Sequence, residues 1–91
     1  MDATRDTLRE RLAGDAWARD YVVGAIVQNL GSHLVATAKV PSLVENTQDA
    51  ISNAKRVCSD LGLDWEQVSM GIRRIWGDWG PTADIVRRLI G

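Results

Sequence analysis

The sequence is poor in the residue types that build covalent, metal-binding and catalytic sites. Its 91 residues include one cysteine, Cys58, and one histidine, His33, which excludes an internal disulfide and a multi-cysteine metal site. It also lacks a glycine-rich phosphate-binding loop and a G-x-S-x-G nucleophile motif. Cys58 falls on an apolar helical stripe, where buried thiols are commoner than activated ones. We therefore expect no catalytic residue, no cofactor and no bound metal, and a small enzyme is the least favoured functional class.

Strong net charge and uninterrupted apolar runs are lacking as well. The formal net charge is -1, with 45% hydrophobic and 25% charged residues, which is typical of folded globular proteins. The N-terminus has no basic region followed by an apolar core, so no secretory signal is expected. The most apolar segment, residues 21–40, is interrupted by polar residues that are unfavourable in hydrocarbon. The sequence thus predicts a cytoplasmic protein that does not bind a membrane.

The apolar residues that are present recur at helical spacing, and glycine and proline fall between the recurring segments. Apolar side chains three and four residues apart predict helices because they share one helix face. No linker, repeat or low-complexity tract divides the chain. The sequence therefore predicts a single all-α domain over residues 1–91, a compact bundle of about five helices. These are expected at residues 4–13, 15–30 with a continuation to 39 left open, 42–61, 64–76 and 81–90.

Capping residues mark the predicted helix ends. Asp15 and Asp64 are side chains that accept hydrogen bonds from the free N–H groups of a first helical turn. Ser42 followed by Glu45 predicts a capping box, and Pro81 suits a first turn because its φ is fixed and it has no N–H. Glycines predicted to end the preceding helices are Gly14, where a left-handed cap is expected, Gly62 and Gly77.

Residues 21–40 support a second interpretation. The stretches YVVGAIVQ and HLVATAKV are rich in β-branched residues and flank a turn-like segment at residues 29–32, a pattern typical of a β-hairpin. The i, i+4 repeat of apolar residues continues through Gly31, which favours the helix. The hairpin remains the alternative for this segment.

Tryptophan is over-represented, with four in a chain that has one tyrosine and no phenylalanine. Trp17, Trp65 and Trp76 each fall on the apolar stripe of a predicted helix and are expected in the core. Trp79 lies in the junction of GIRRIWGDWGP (71–81), where no helical face can be assigned to it. Tryptophan and arginine are the residues that most often anchor protein interfaces. The candidate protein-interaction residues are therefore Trp79, Arg73, Arg74, Arg87 and Arg88.

Residues 54–75, AKRVCSDLGLDWEQVSMGIRRI, resemble a helix-turn-helix DNA-binding unit. Val57 and Cys58 match the hydrophobic and small positions of its first helix, and Leu61 to Leu63 match its glycine-containing turn. Val68 matches a buried position of the second helix, whereas Gly71 stands where the motif usually has a bulky aliphatic residue. The resemblance implies that the second helix enters the major groove. The implied DNA-contact candidates are Trp65, Glu66, Ser69, Met70, Arg73 and Arg74.

Charge and size favour protein binding over DNA binding. A DNA-binding domain usually has a basic footprint, with a pI above about 9, whereas the pI here is about 5.7. A chain this short has a small core, which a partner subunit would help to complete. We therefore hypothesise a non-enzymatic regulatory or adaptor protein, bacterial or phage-encoded, that binds another protein or itself, with a homodimer expected. A helix-turn-helix transcriptional regulator that binds DNA is the alternative.

Overall fold

The computed structural model, which describes residues 3–91, is built from α-helices. The helices are α1 (Ala3–Ala13), α2 (Ala16–Lys39), α3 (Val44–Leu61), α4 (Trp65–Trp76) and α5 (Gly80–Leu89), with a short 3₁₀ turn at Pro41–Leu43. The predicted all-α bundle of about five helices is confirmed. No strand occurs in residues 3–91, so the alternative of a hairpin at 21–40 is wrong.

Helix α2 runs unbroken through the segment that had two interpretations. Its β-branched residues are tolerated because burial follows the helical period, with Val27, Leu30 and Leu34 all buried on one side. Helix α2 packs against α1, α3, α4 and α5. Packing against four neighbours thus overrides the local β-propensity of this segment.

Five of the predicted helix ends form, two of them at Gly77, which follows the last residue of α4, and at Pro81, which lies in the first turn of α5. Asp15 Oδ1 accepts from the N–H of Ala18 at 3.0 Å, and Asp64 Oδ1 accepts from the N–H of Glu66 at 2.9 Å. Gly62 adopts a left-handed conformation with φ 70° at the end of α3. The N–H of the following Leu63 donates to the carbonyl of Cys58 at 2.7 Å. The bonds made by Leu63 and by Asp64 fix the two ends of the turn between α3 and α4.

Two other predicted caps are wrong. The capping box at Ser42 does not form, because residues 41–43 wind into the 3₁₀ turn and α3 begins at Val44 with no side-chain cap. Gly14 does not adopt a left-handed conformation. Instead, the Arg19 guanidinium donates to the carbonyls of Leu12 and Ala13 at 3.1 and 2.9 Å. A side chain from α2 therefore caps the last turn of α1, a partner that lies outside the local sequence.

Glycines allow α2 and α4 to approach closely at two points. A Cβ atom on Gly31 of α2 would lie 1.9 Å from Cη2 of Trp76, so the indole occupies the space above this glycine. A Cβ atom on Gly71 of α4 would lie 2.9 Å from Cγ2 of Val27. The departure of Gly71 from the helix-turn-helix pattern therefore has a structural reason, because a bulky aliphatic side chain here would clash with α2.

A buried pair of threonines links α2 to α3. The hydroxyl of Thr47 donates to the backbone carbonyl of His33 at 3.1 Å. The hydroxyls of Thr37 and Thr47 are 2.5 Å apart. Since the Thr47 proton is engaged by His33, Thr37 must donate to Thr47. Both hydroxyls are thereby satisfied within the core, as buried polar groups require.

Two of the three tryptophans predicted in the core pack there, and the third is exposed. Trp76 is buried in the core as predicted, and Trp65 is half-buried against it, with Lys55 Nζ 5.3 Å from the centroid of its ring. The prediction that Trp17 is a core residue is wrong, because its side chain is 75% exposed. The apolar positions Val57 and Ile75 are also exposed. The buried faces of α2, α3 and α4 are therefore narrower than their apolar stripes.

Candidate protein-interaction surface

The corner between α4 and α5 holds Trp79 on a backbone that is hydrogen-bonded on both sides. The N–H of Trp79 donates to the carbonyl of Trp76 at 3.2 Å, and its own carbonyl accepts from the N–H of Thr82 at 2.9 Å. Gly80 adopts a left-handed conformation with φ 46°, which favours glycine at this position. The Trp79 side chain is nevertheless 61% exposed. The corner thus presents a large aromatic side chain from a fixed main chain.

Trp79 also forms part of the wall of a cleft of about 510 Å³. One wall is the C-terminal end of α2, and the other is the α4–α5 corner. We call this the Trp79 cleft. Its lining consists mainly of apolar and small side chains. The lining residues are Val35, Ala38, Lys39, Asp78, Trp79, Gly80, Pro81 and Thr82.

Two charged side chains of opposite sign lie at the Trp79 cleft. Lys39 belongs to α2 and Asp78 belongs to the corner, and both residues are exposed. Within residues 3–91, the side chain of neither residue makes an ion pair or a hydrogen bond. Both charges are therefore free to pair with groups of a bound molecule.

The predicted arginines are not gathered around Trp79. Arg73 donates to Ser69 Oγ at 2.7 Å, to Glu66 Oε1 at 2.9 Å and to the Gly91 carbonyl at 3.3 Å, so three of its five N–H donors are engaged within the chain. Arg87 pairs with Asp84 on its own helix. Arg73 and Arg87 instead line a neighbouring cleft of about 470 Å³, which shares Asp78 with the Trp79 cleft but does not include Trp79.

Arg74 and Arg88 are the remaining two predicted arginines, and both are exposed. Neither residue lines the Trp79 cleft or the cleft that holds Arg73 and Arg87. The five candidate protein-interaction residues therefore do not line one common cleft. Of the five, Trp79 lines the Trp79 cleft and is 61% exposed.

The six DNA-contact candidates do not all face outward either. Ser69 is 2% exposed and receives the hydrogen bond from Arg73, so its predicted place on a recognition surface is wrong. Trp65 is half-buried, and Glu66 is bound to Arg73. Only two of the six residues are both exposed and without a hydrogen bond or ion pair among the described residues, namely Met70 and Arg74.

A second exposed aromatic surface lies at the other end of α2. Trp17 and Tyr21 stack with their ring centroids 5.8 Å apart and their planes at 28°. A sequence signal for it exists, because counting back from Val27 in steps of four residues leads to Val23 and then to Arg19. Both of these residues are partly buried, whereas Trp17 and Tyr21 lie about 100° or more around the helix from the buried side.

The single thiol of the sequence, Cys58, is buried in the core. Burial and, to a smaller extent, the negative charge of Asp64 raise the pKa of the Cys58 thiol, whereas a reactive cysteine has a lowered pKa. No group of three or more His, Cys, Asp or Glu side chains in residues 3–91 is placed to hold a metal ion. None of the helices described is long and apolar enough to cross a membrane.

The chain was also compared with known proteins. The comparison with models of protein families, with curated protein sequences and with solved structures found no match.

Proposed function

We propose that this chain is a small non-enzymatic regulatory or adaptor protein, bacterial or phage-encoded and cytoplasmic, that acts by binding protein through the Trp79 cleft. The observation that carries the proposal is the 61% exposed indole of Trp79 beside an apolar cleft. A tryptophan adds a large apolar contact area and loses little side-chain entropy on binding. The partner is another protein or a second copy of this chain.

The backbone hydrogen bonds of the corner support this proposal. The main chain of Trp79 is hydrogen-bonded to Trp76 on one side and to Thr82 on the other, so binding need not order the loop that carries the indole. Fixing a loop in advance lowers the entropic cost of association. An exposed indole that contributes little to the core is also free to be used for binding.

Replacing Trp79 by alanine is expected to weaken partner binding by about 2 kcal/mol or more, as for an interface anchor. The free energy of unfolding should change by about 0.5 kcal/mol or less, because the side chain is mostly exposed. The measurement is affinity capture from a lysate of the source organism with immobilised wild type and W79A, together with denaturant unfolding of both. W17A is the matched control, since Trp17 is an exposed tryptophan outside the cleft. Equal capture by wild type and W79A would contradict the proposal.

DNA binding is the second candidate function, and one observation favours it. Helices α3 and α4 are joined by a turn at residues 62–64 with Gly62 left-handed, which is typical of helix-turn-helix units. We expect mixed-sequence duplex DNA to show no measurable binding at low salt, because only Met70 and Arg74 of the DNA-contact candidates are exposed and unengaged among the described residues. An affinity that falls steeply as salt is raised would instead favour the DNA-binding function.

A further inference from the structure

The Trp79 cleft has the two complementary parts of an interface on one surface. The indole of Trp79 projects with 61% of its surface exposed, and the apolar depression beside it is lined by Val35, Ala38 and Pro81. In a two-fold symmetric dimer the same patch meets itself, so a projection and a depression on one patch can each receive the other. The shape of this surface therefore suits a second copy of the chain.

The charges at the Trp79 cleft are complementary in the same way. Lys39 and Asp78 are the charged residues of its lining, one on each wall. Neither is paired within residues 3–91. A two-fold axis through the cleft would bring Lys39 of each copy opposite Asp78 of the other and form two equivalent ion pairs. A strongly acidic or basic partner would satisfy one of these charges and be repelled by the other.

We propose that two copies of this chain associate about a two-fold axis through the Trp79 cleft. Trp79 of each copy packs against Val35 and Ala38 of the other, and Lys39 pairs with Asp78 across the axis. This inference rests on the proposed protein-binding function and specifies its partner. The eight residues that line the cleft are fewer than the about 20–30 residues a side of a standard interface. The dimer is therefore weak, depends on concentration and dissociates further as salt is raised.

Charge reversal tests the pairing directly. In K39E the introduced glutamate faces Asp78 of the other copy, and in D78K the introduced lysine faces Lys39, so each variant alone has two repulsive pairs. We expect each to raise the dimer dissociation constant by about tenfold or more.

In an equimolar mixture of K39E and D78K, the heterodimer has two attractive pairs. One joins the two introduced side chains, and the other joins the Lys39 and Asp78 that each variant retains. The mixture should therefore dimerise about as well as the wild type, as measured by sedimentation velocity.

Two controls exclude simpler explanations. R11E reverses an exposed cation in the last turn of a helix, as K39E does, but away from the Trp79 cleft. It should self-associate as the wild type does, and circular dichroism should show that all variants are folded. W79A should weaken the dimer by about tenfold or more, whereas W17A should not.

The outcomes separate this inference from the proposed function. Rescue of dimerisation in the mixture supports the two-fold pairing. A wild-type protein that stays monomeric at every soluble concentration, or charge variants that dimerise like the wild type, would overturn the inference. If such a monomer still captures another protein and loses it in W79A, only the dimer is refuted and the protein-binding function stands. If W79A affects neither self-association nor capture, both are refuted.

Discussion

Replacing Gly31 by alanine is expected to destabilise the protein by about 3 kcal/mol. The added methyl group would lie 1.9 Å from Cη2 of Trp76, a distance that two carbon atoms cannot adopt without displacement. The indole has little room to retreat, because Trp76 is buried in the core. Forcing extra atoms into a well-packed core costs about 1–3 kcal/mol and sometimes more. Guanidinium unfolding monitored by circular dichroism measures the effect.

Gly24 on the same helix provides the matched control. A Cβ atom there meets nothing within 4 Å, so G24A is expected to stabilise the protein by about 0.5–1 kcal/mol through the better helix propensity of alanine. In a background where Trp76 is replaced by leucine, G31A should lower the free energy of unfolding by less than it does in the wild type, because the clashing ring atoms are absent. Unfolding of G31A at the wild-type denaturant concentration would show that the indole does not lie over Gly31.

Truncating Ile72 to alanine is expected to cost about 3 kcal/mol. The Ile72 side chain lies in the core and is 0% exposed. Deleting buried methylene groups loses the free energy of their transfer out of water and leaves a cavity, whose lining atoms lose van der Waals contacts. Denaturant unfolding, with the slope of the transition checked for two-state behaviour, gives the value.

Ile75 lies on the same helix and is 44% exposed, so I75A should cost about 1 kcal/mol or less. The pair of variants compares one residue type in one helix at two degrees of burial. If I72A and I75A lowered the free energy of unfolding equally, Ile72 would not be more deeply buried than Ile75.

Features that depend on neighbouring residues could be predicted from the sequence. The caps at Asp15 and Asp64 and the left-handed Gly62 need only a few adjacent residues to form. The C-terminal cap of α1 could not be predicted, because its donor is Arg19 on the next helix. The capping box at Ser42 failed for a related reason, since the chain from Pro41 first winds into a 3₁₀ turn.

The sequence indicates that Trp79 is exposed, but it does not indicate the cleft that Trp79 lines. Trp79 has no helical face to bury it, and a junction residue flanked by aspartate and glycine is expected to be exposed. The sequence could not show that Val35 and Lys39 complete the cleft, because they lie on α2, far away along the chain. Arg73 is near Trp79 in sequence, but its guanidinium is hydrogen-bonded to Ser69 and Glu66 of its own helix. Sequence proximity to Trp79 was therefore a poor guide to position in space.

The central position of α2 also limits how this protein can change in evolution. Each residue inserted into or deleted from a helix rotates all that follows by about 100°. Because α2 packs against every other helix, a single insertion between Val27 and Leu34 would turn the surfaces that receive α4 and α5 away from them together. Insertions and deletions are therefore expected to be tolerated least within α2.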